Sequence, residues 1–331
     1  PCEAFLVLEF EHDVEERIAA AASRNVGKRN LILTDPAKMD MVTNMRKAGL
    51  SLLTGRKGPA KPIAGIEDVA VEPKRLPAYV KELQALIDEL GLFASFYGHA
   101  ASGLLHVRPV IDLHEAGDIE KFRKIAEETS ALTRRFNGSF AAEHGVGIAR
   151  TEFMEQQVGP ELLAVMREIK TLFDPKTLLN PGKIIADDRD FRIDTNLRWG
   201  DGYEIPLPFP ALLAFADKDG SFVGNLEQCN GCGGCRKDAP TMCPTYIATG
   251  EEIMSTRGRA NTIRAVLDGR FDDADPLECE ALDEALSNCL SCKACKKECP
   301  SNVDLALLKA ELLHARHQRT GVGLRGRMVS S

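Results

Sequence analysis

The most specific pattern in the 331-residue chain is Cys289-Leu-Ser-Cys292-Lys-Ala-Cys295-Lys-Lys-Glu-Cys299-Pro300. It follows the C-x2-C-x2-C-x3-C-P spacing of bacterial iron–sulfur proteins without deviation. In that pattern three closely spaced thiolates hold one [4Fe-4S] cluster, and the cysteine before proline reaches another cluster. The spacing therefore predicts two clusters, and the residues between the motifs predict a mostly helical domain around them.

An upstream set repeats this pattern with an insertion. Cys229-Asn-Gly-Cys232-Gly-Gly-Cys235 keeps the first three cysteines, and Cys243-Pro244 closes the set after seven residues rather than three. Because the cysteine before proline crosses to the other cluster, two ligand groups follow. One [4Fe-4S] cluster is assigned to Cys229, Cys232, Cys235 and Cys299. The second is assigned to Cys289, Cys292, Cys295 and Cys243.

Two structural zinc sites are the alternative, because paired C-x2-C segments also suit tetrahedral zinc. Two triplets that are each followed by Cys-Pro favour iron–sulfur clusters instead. Nine of the ten cysteines lie between Cys229 and Cys299, and disulfides in a large domain would not cluster in this way. Cys2 and Cys279 are left over, and we expect both to be small buried hydrophobic residues.

The composition argues against several classes of protein. With 42 basic and 49 acidic residues the chain has a formal net charge of −7, which gives no electrostatic reason to expect nucleic acid as a partner. The sequence has no apolar run of about 18 residues, so we expect no transmembrane segment. The clustered cysteines and the lack of a signal-peptide pattern predict a cytoplasmic location, with peripheral attachment at the inner face of the membrane as the alternative.

Residues 1–185 alternate strand-like and helix-like patterns, which predicts an α+β domain with helices packed on a largely antiparallel sheet. Strands are expected at 4–10, 67–71, 92–99, 104–110 and 139–143, and helices at 14–25, 76–90, 115–136 and 152–173. A proline-rich connector at 186–225 then leads to a mostly helical domain at 226–318, with helices at 257–267 and 278–290, and to a basic tail at 319–331.

Two histidines lie on the hairpin predicted at 92–110. If residues 101–104 form a four-residue loop, His99 lies opposite His106, and their Cβ atoms are about 5 Å apart on one face of the sheet. Two imidazoles in this position can share one metal ion. Arg108 points to the same face and could hold an anionic group beside the metal.

A carboxylate follows the next predicted strand, in Glu143-His144-Gly-Val-Gly147. Glu143 would complete a two-histidine, one-carboxylate ligand set for Zn²⁺, Mn²⁺ or Fe²⁺ with positions left open for substrate. His144 would then be free to act as a base. From spacing alone, hydrogen-bonded packing of the histidines is the more common alternative.

Four segments carry a resemblance to a known family. Gly98-His-Ala-Ala-Ser-Gly-Leu-Leu-His106, Ala142-Glu-His-Gly-Val-Gly-Ile-Ala-Arg150 and Leu172-Phe-Asp-Pro-Lys-Thr-Leu-Leu-Asn-Pro-Gly-Lys-Ile184 resemble the C-terminal substrate domain of FAD-linked oxidases. That family includes D-lactate, glycolate and D-2-hydroxyglutarate dehydrogenases. The cysteine-rich part, with Ser255-Thr-Arg-Gly-Arg-Ala-Asn261, resembles the ferredoxin-type domain that is fused to it in large bacterial D-2-hydroxyglutarate dehydrogenases.

The resemblance implies a metal site made of His99, His106 and Glu143, with His144 next to the substrate. One departure from the family pattern matters for the substrate: the turn between the two histidines has Leu104 where the family has a polar asparagine. The spacing of the histidines is kept, so the metal site remains the expectation. The contacts of this turn with the substrate stay open.

The resemblance also assigns two residues outside the metal site. Asn180 is expected to approach the flavin, and Arg46 is expected to bind a substrate carboxylate. The FAD-binding domain of the family lies upstream of this region, so we expect the chain to be an interior fragment in which FAD is held mainly by a domain outside it. A further C-terminal electron-transfer domain is also expected outside the chain.

These features predict part of a flavin-dependent 2-hydroxyacid dehydrogenase that oxidises D-2-hydroxyglutarate to 2-oxoglutarate. Electrons would pass from FAD through two [4Fe-4S] clusters to an external protein or quinone. D-lactate or glycolate as substrate is the alternative within the family. For the isolated chain, a non-catalytic electron-transfer module is the alternative, since the chain has no complete nucleotide-binding glycine motif and is expected to be inactive alone. The sequence leaves the oligomeric state open.

Overall fold

The computed structural model describes residues 4–65, 67–187, 189, 192–213, 220–237, 242–272 and 275–323. Cys2 and most of the predicted basic tail lie outside the described residues. Two compact units divide between Ser51 and Leu52. No helix within the described ranges is long and apolar enough to cross a lipid bilayer.

The first unit contains helix α1 (Val14–Ser23) and most of helix α2 (Pro36–Thr54). The strand predicted at 4–10 is wrong, because these residues lie outside any strand and Phe5 and Leu6 are exposed. A strand that is apolar on both faces is stable only when other elements pack on both faces and another strand pairs with its backbone. The sequence of the strand alone does not show whether those elements are present.

The second unit begins with an antiparallel sheet in which the long strand β4 pairs with three others. The strands are β1 (Lys61–Pro62), β2 (Asp68–Ala70), β3 (Ala94–His99) and β4 (Leu104–Ile111). Along β4, Leu105, Val107 and Ile111 are buried in the core. Because side chains alternate along a strand, the even-numbered residues of β4 point to the opposite face.

The predicted β3–β4 hairpin is confirmed, but its predicted register is wrong. His99 pairs with Leu104 rather than with His106, because the turn begins one residue earlier than expected. Gly103 ends the turn with a φ of 74°, and a Cβ atom there would lie 1.8 Å from the backbone oxygen of Val71. This close approach fixes the turn. His99 and His106 are therefore diagonal neighbours on one face.

Helix α3 (Leu76–Glu89) lies between β2 and β3 in the sequence, and α4 (Ala116–Arg135), α5 (Met154–Val158) and α6 (Pro160–Phe173) follow β4. Leu83 and Ile87 of α3 are fully buried, and burial of each such side chain contributes about 1.5–3 kcal/mol. The single helix predicted at 152–173 is wrong: it is broken at Gly159, whose φ is 83°, and Pro160 starts a new helix. The predicted α+β class is confirmed.

The strand predicted at 139–143 is reduced to one bridge between Ser139 and Ala70. Beyond Ser139 the backbone leaves the sheet, because the N–H groups of residues 142–144 bond to the side chain of Asp68. A carboxylate therefore replaces the strand partner that the sequence pattern predicted.

The remaining described chain forms a second hydrophobic core, which includes Phe222, Ile263, Leu282 and Leu308. Its helices are α7 (Phe222–Leu226), α8 (Pro244–Thr249), α9 (Thr256–Leu267), α10 (Glu280–Ser287), α11 (Ala294–Glu298) and α12 (Leu305–Thr320). This region is mostly helical between the cysteine motifs, as predicted. The helix predicted at 278–290 is shorter than expected and ends before Cys289.

Candidate functional site

His99, His106 and Glu143 come together at the turn end of the β3–β4 hairpin. His106 Nε2 lies 2.9 Å from Glu143 Oε1, and His99 Nε2 lies 3.7 Å from the same oxygen. One ligand atom of each residue lies within 4.8 Å of the other two. Two imidazole nitrogens and a carboxylate oxygen are a donor set that suits Zn²⁺, Mn²⁺ or Fe²⁺. The half-exposed His99 and Glu143 leave the group open to solvent.

His144 lies against this group. Its ring stacks on that of His106 with centroids 4.6 Å apart, and its Nε2 lies 3.7 Å from Glu143 Oε1. On its other side, Nδ1 lies 3.1 Å from Glu67 Oε1. A carboxylate accepts hydrogen bonds, so in the neutral ring this contact selects the tautomer with the hydrogen on Nδ1 and the lone pair on Nε2. That lone pair faces the histidine–glutamate group.

Arg108 reaches the same face of β4, as expected, but its guanidinium is engaged. Nη2 of Arg108 lies 2.6 Å from Glu67 Oε2, and both side chains are largely buried. Glu67 thus bridges Arg108 and His144. Glu67 was not among the site residues predicted from the sequence, although an acidic residue at a buried strand indicates a charged or hydrogen-bonding partner.

Asp68 holds the segment that carries Glu143 and His144. Its fully buried carboxylate accepts hydrogen bonds from the backbone N–H groups of Ala142, Glu143 and His144 at 2.8, 3.1 and 2.9 Å. Burial opposes ionisation of Asp68, but these N–H groups outweigh it and hold its pKa below the ordinary value. Arg150 Nη1 lies 3.7 Å from the same carboxylate. The segment is therefore positioned by charges of the protein itself.

Asp174 organises the loop that contains the predicted flavin contact. Its carboxylate accepts from the backbone N–H groups of Leu178 and Leu179 at 2.9 and 2.8 Å, and from Lys170 Nζ at 2.5 Å. The bond from Lys170, with these N–H groups, lowers the pKa of Asp174 to about 2. The loop therefore has a defined shape before any ligand binds.

Asn180 lies in this loop in the left-handed backbone region, with a φ of 46°. The loop ends against the glycine turn after His144, where Ile184 N donates to Gly147 O at 3.1 Å. The structure thus brings the loop of Asn180 to the turn that follows the candidate base. Arg46 lies half-buried on α2, in the first unit.

Four cysteines line each of two cavities in the helical region. One cavity is lined by Cys229, Cys232, Cys235 and Cys299. The other is lined by Cys243, Cys289, Cys292 and Cys295. Each cavity takes three cysteines from one motif and the cysteine before proline from the other, so the structure brings together the two groups assigned from spacing. Cys279 lines neither cavity and is buried in the core, as expected.

The two cysteines that precede proline have different surroundings. Burial raises the pKa of Cys299 to about 11. Burial acts in the same direction on Cys243, but hydrogen bonds from the Thr245 hydroxyl, a backbone N–H and the Arg259 guanidinium outweigh it and lower the pKa of that thiol. Cys243 is therefore the better prepared of the two to carry negative charge.

Helix α9 begins between the two cavities. The backbone N–H of Arg257 donates to Cys235 Sγ at 3.3 Å, and Nη1 of Arg259 donates to Cys243 Sγ at 3.1 Å. Gly258 separates the two arginines, and a Cβ atom there would lie 1.9 Å from a backbone oxygen of the preceding turn. The helix start can pack against the turn at Glu252 only because residue 258 has no side chain.

Comparison with known proteins decides the family. The C-terminal domain of FAD linked oxidases matches residues 1–184. The chain belongs to this family of FAD-linked oxidases. A 4Fe-4S dicluster domain matches residues 225–303 of this FAD-linked oxidase chain.

Named relatives cover both parts of this FAD-linked oxidase chain. D-2-hydroxyglutarate dehydrogenase of Haemophilus influenzae is 32% identical over 87% of this chain and 31% of its own length. The enzyme of that name from Escherichia coli is 31% identical over 96% of this chain and 34% of its own length. D-lactate dehydrogenase of Archaeoglobus fulgidus is 30% identical over 55% of this chain and 39% of its own length. The chain spans about a third of the two dehydrogenases first named.

The backbone of both cysteine triplets fits the dicluster description. Gly231 and Gly233 have φ values of 78° and 72°, and the residues at the same places in the other triplet, Ser291 and Lys293, have φ values of 52° and 64°. A residue with a side chain pays about 1–2 kcal/mol for this conformation, so the surroundings must hold it there. The two loops therefore have similar backbone conformations, and each places three cysteines around its cavity.

Proposed function

We propose that the chain is the substrate-site and electron-transfer part of a flavin-dependent 2-hydroxyacid dehydrogenase that oxidises D-2-hydroxyglutarate to 2-oxoglutarate. The observation that carries this proposal is the open group of His99, His106 and Glu143 with the lone pair of His144 facing it, in a FAD-linked oxidase chain. Two relatives named D-2-hydroxyglutarate dehydrogenase align over most of the chain, whereas a relative named D-lactate dehydrogenase and a further one named D-2-hydroxyglutarate dehydrogenase cover about half of it. The shared name of the two relatives that match most of the chain favours D-2-hydroxyglutarate over D-lactate or glycolate.

His99, His106 and Glu143 would hold a divalent ion, Zn²⁺, Mn²⁺ or Fe²⁺. When bound, the ion supplies Lewis acidity to a hydroxyl group, FAD accepts hydride and the clusters carry single electrons. The diagonal placement of the histidines and the half-exposed carboxylate support this role, since they leave one side of the group open to a small acid.

His144 would take the proton of the substrate hydroxyl at Nε2. Glu67 fixes the hydrogen of the neutral ring on Nδ1, so that the lone pair of the ring lies on Nε2 and is aimed at the ligand group. The ion pair of Arg108 with Glu67 favours a positioning role for Arg108 over the direct substrate contact expected from the sequence. Arg46 is proposed to bind the distal carboxylate of the substrate, and Asn180 to approach the flavin.

The two cysteine groups would hold two [4Fe-4S] clusters that pass electrons to an external protein or quinone. The proposed division is a substrate domain at 1–185, a connector at 186–225 and a cluster domain at 226–318. Two hydrophobic cores support the first and last of these, while the connector contributes Ile193 and Trp199 to the first core and Ile205 and Phe209 to the second. A cytoplasmic location, with attachment to the inner face of the membrane as the alternative, stays a prediction.

Turnover by the full-length protein that contains this chain tests the proposal. With an artificial electron acceptor, kcat/KM for D-2-hydroxyglutarate should exceed that for D-lactate and glycolate. A preference for D-lactate or glycolate would contradict the substrate assignment, and turnover of none of the three would contradict the enzyme class.

Metal analysis of the same preparation tests the clusters. Anaerobic protein should contain about eight iron atoms and as many sulfides per chain. Cys243→Ser should damage the cluster of the downstream triplet, and Cys299→Ser that of the upstream triplet. Two zinc ions without sulfide would overturn the cluster assignment.

A further inference from the structure

Arg259 is the largest fully buried side chain of the described residues, with 1% of its surface exposed. Its guanidinium donates to Ala285 O at 2.7 Å, to Thr245 Oγ1 and Cys243 Sγ at 3.1 Å each, and to Met254 O. None of these partners is a carboxylate, and no ion pair to Arg259 occurs in the part of the chain that the structure describes. Cys243 Sγ is thus the partner able to carry a compensating negative charge.

A buried cation without an anionic partner is strongly unfavourable. The structure meets this requirement if the sulfur of Cys243 is a thiolate bound to iron. We infer that Arg259 stabilises the reduced form of the cluster held by Cys243, Cys289, Cys292 and Cys295, and so makes it the electron-accepting member of the pair. This inference rests on the proposed cluster ligation.

The corresponding arginine at the other cavity is paired with a carboxylate, Glu252, which Arg236 also contacts at 3.0 Å. Arg257 Nε and Nη2 donate to the two carboxylate oxygens of Glu252 at 2.8 and 3.0 Å, and its Nη1 donates to Gly231 O. Only the backbone N–H of Arg257 reaches a sulfur atom, that of Cys235. The guanidinium of Arg257 therefore forms an ion pair with a carboxylate, while the guanidinium of Arg259 faces a cysteine sulfur.

Other cations near the two cavities match each other. Arg198 Nη1 donates to the backbone oxygen of Cys229 at 2.5 Å, and Lys309 Nζ donates to that of Cys289 at 2.6 Å. Each triplet thus has one cation on the carbonyl group of its first cysteine. These contributions offset each other in a comparison of the two clusters. Lys293 also lines the Cys243 cavity, but Arg259 is the cation whose guanidinium donates to a cysteine sulfur there.

Hydrogen bonds to cluster sulfurs and nearby positive charge favour the more negative, reduced state. One electron would pass from the reduced cluster of the Cys229 group to the oxidised cluster of the Cys243 group. The donor returns to its oxidised state, the acceptor gains one negative charge, and no proton moves. Reduced flavin of the proposed dehydrogenase is the source of the electron.

The test is an anaerobic redox titration of the full-length protein, followed by electron paramagnetic resonance, with iron and sulfide counted in each sample. The signals are assigned with Cys243→Ser, which alters only its own cluster. Arg259→Met should lower the ratio of reduced to oxidised Cys243 cluster at fixed potential about tenfold, which is about 59 mV for a one-electron couple. Arg257→Met is the matched control and should shift the Cys229 cluster less.

The outcomes separate this inference from the proposed function. Intact clusters with unchanged potentials in Arg259→Met would overturn the role of Arg259 and leave ligation untouched, whereas wild-type protein without iron would overturn the ligation. If Arg259→Met loses a cluster, Arg259→Gln carries the test, because glutamine keeps an N–H donor without the charge. An unchanged potential in that variant also overturns the inference.

Discussion

In the sheet domain, the buried carboxylates of Asp68 and Glu67 are matched by backbone N–H groups and by the guanidinium of Arg108, whereas in the cysteine domain the buried guanidinium of Arg259 faces the sulfur of Cys243. The first site completes its charge balance with residues of the protein. The second completes it only with an anionic cluster. We therefore expect the histidine–glutamate group to keep its shape without metal and the cysteine domain to depend on iron.

His106→Ala should have the largest effect on activity. It removes the most buried of the three candidate ligands, so the full-length protein should lose its divalent ion and all measurable turnover. The iron–sulfur absorbance should not change, because the hairpin belongs to the first hydrophobic core and cysteines of both groups belong to the second. Metal analysis and turnover check this, with the exposed His12→Ala as control. Unaltered turnover would show that the hairpin histidines only pack.

Removal of iron should destabilise the cysteine domain more than removal of the divalent ion destabilises the sheet domain. Loss of the cluster leaves the buried guanidinium of Arg259 with Cys243 Sγ as its one acidic partner among the described residues, and an incompletely compensated buried charge is destabilising. Hydrogen exchange of residues 256–287 should rise strongly in the iron-free chain, and that of 104–111 should hardly change after chelation of the divalent ion. Arg259→Met should reduce the loss of stability of the cysteine domain when iron is removed. Equal increases in hydrogen exchange in the two regions would contradict the expected difference between them.

His144→Ala should keep the divalent ion and lower kcat by about 10²- to 10⁴-fold, the usual contribution of a general base. The substitution leaves Asp68 and its backbone partners in place, so Glu143 should keep its position. Steady-state kinetics with metal analysis of the same sample separates the two roles. Loss of the metal with His144 would make it a ligand rather than a base.

Glu67→Gln should have a smaller effect, about 10- to 100-fold on kcat, because Glu67 acts through His144. The variant removes the negative charge that fixes the hydrogen on Nδ1 of His144. Nitrogen NMR of the histidine side chains should then show a mixture of tautomers in place of one. Glu67→Asp should restore part of the lost kcat and part of the single-tautomer NMR signal. A single unchanged tautomer in Glu67→Gln would exclude the positioning role.

Asp174→Asn should produce the smallest effect, confined to stability and the loop of Asn180. The folded carboxyl has a pKa of about 2, below the ordinary value of 3.8, so its ionised form stabilises the fold above pH 3.8. That contribution disappears as the pH falls through about 2. The difference in Tm between wild type and variant should therefore be present at pH 6 and vanish near pH 2. A difference that persists near pH 2 would assign the effect to packing.

Local spacing explains what could be predicted from the sequence. The cysteine groups follow from short intervals within two segments, and His99 and His106 share a face in either register because residues two apart on a strand point the same way. Glu67 and Asp68 could not be placed, since they act on residues more than 70 positions away. The break between α5 and α6 at Gly159-Pro160 could have been predicted from the sequence, because proline in a helix interior disrupts the helix.

The missing side chain of Gly258 also limits how this domain can be redesigned. Any larger residue would push the start of α9 away from the preceding turn, and both arginines would move with it. A library of variants that aims to change the reduction potentials of the proposed clusters should therefore keep Gly258 and vary residues 257 and 259. Gly258 thus limits which substitutions in this segment can be used to tune electron transfer.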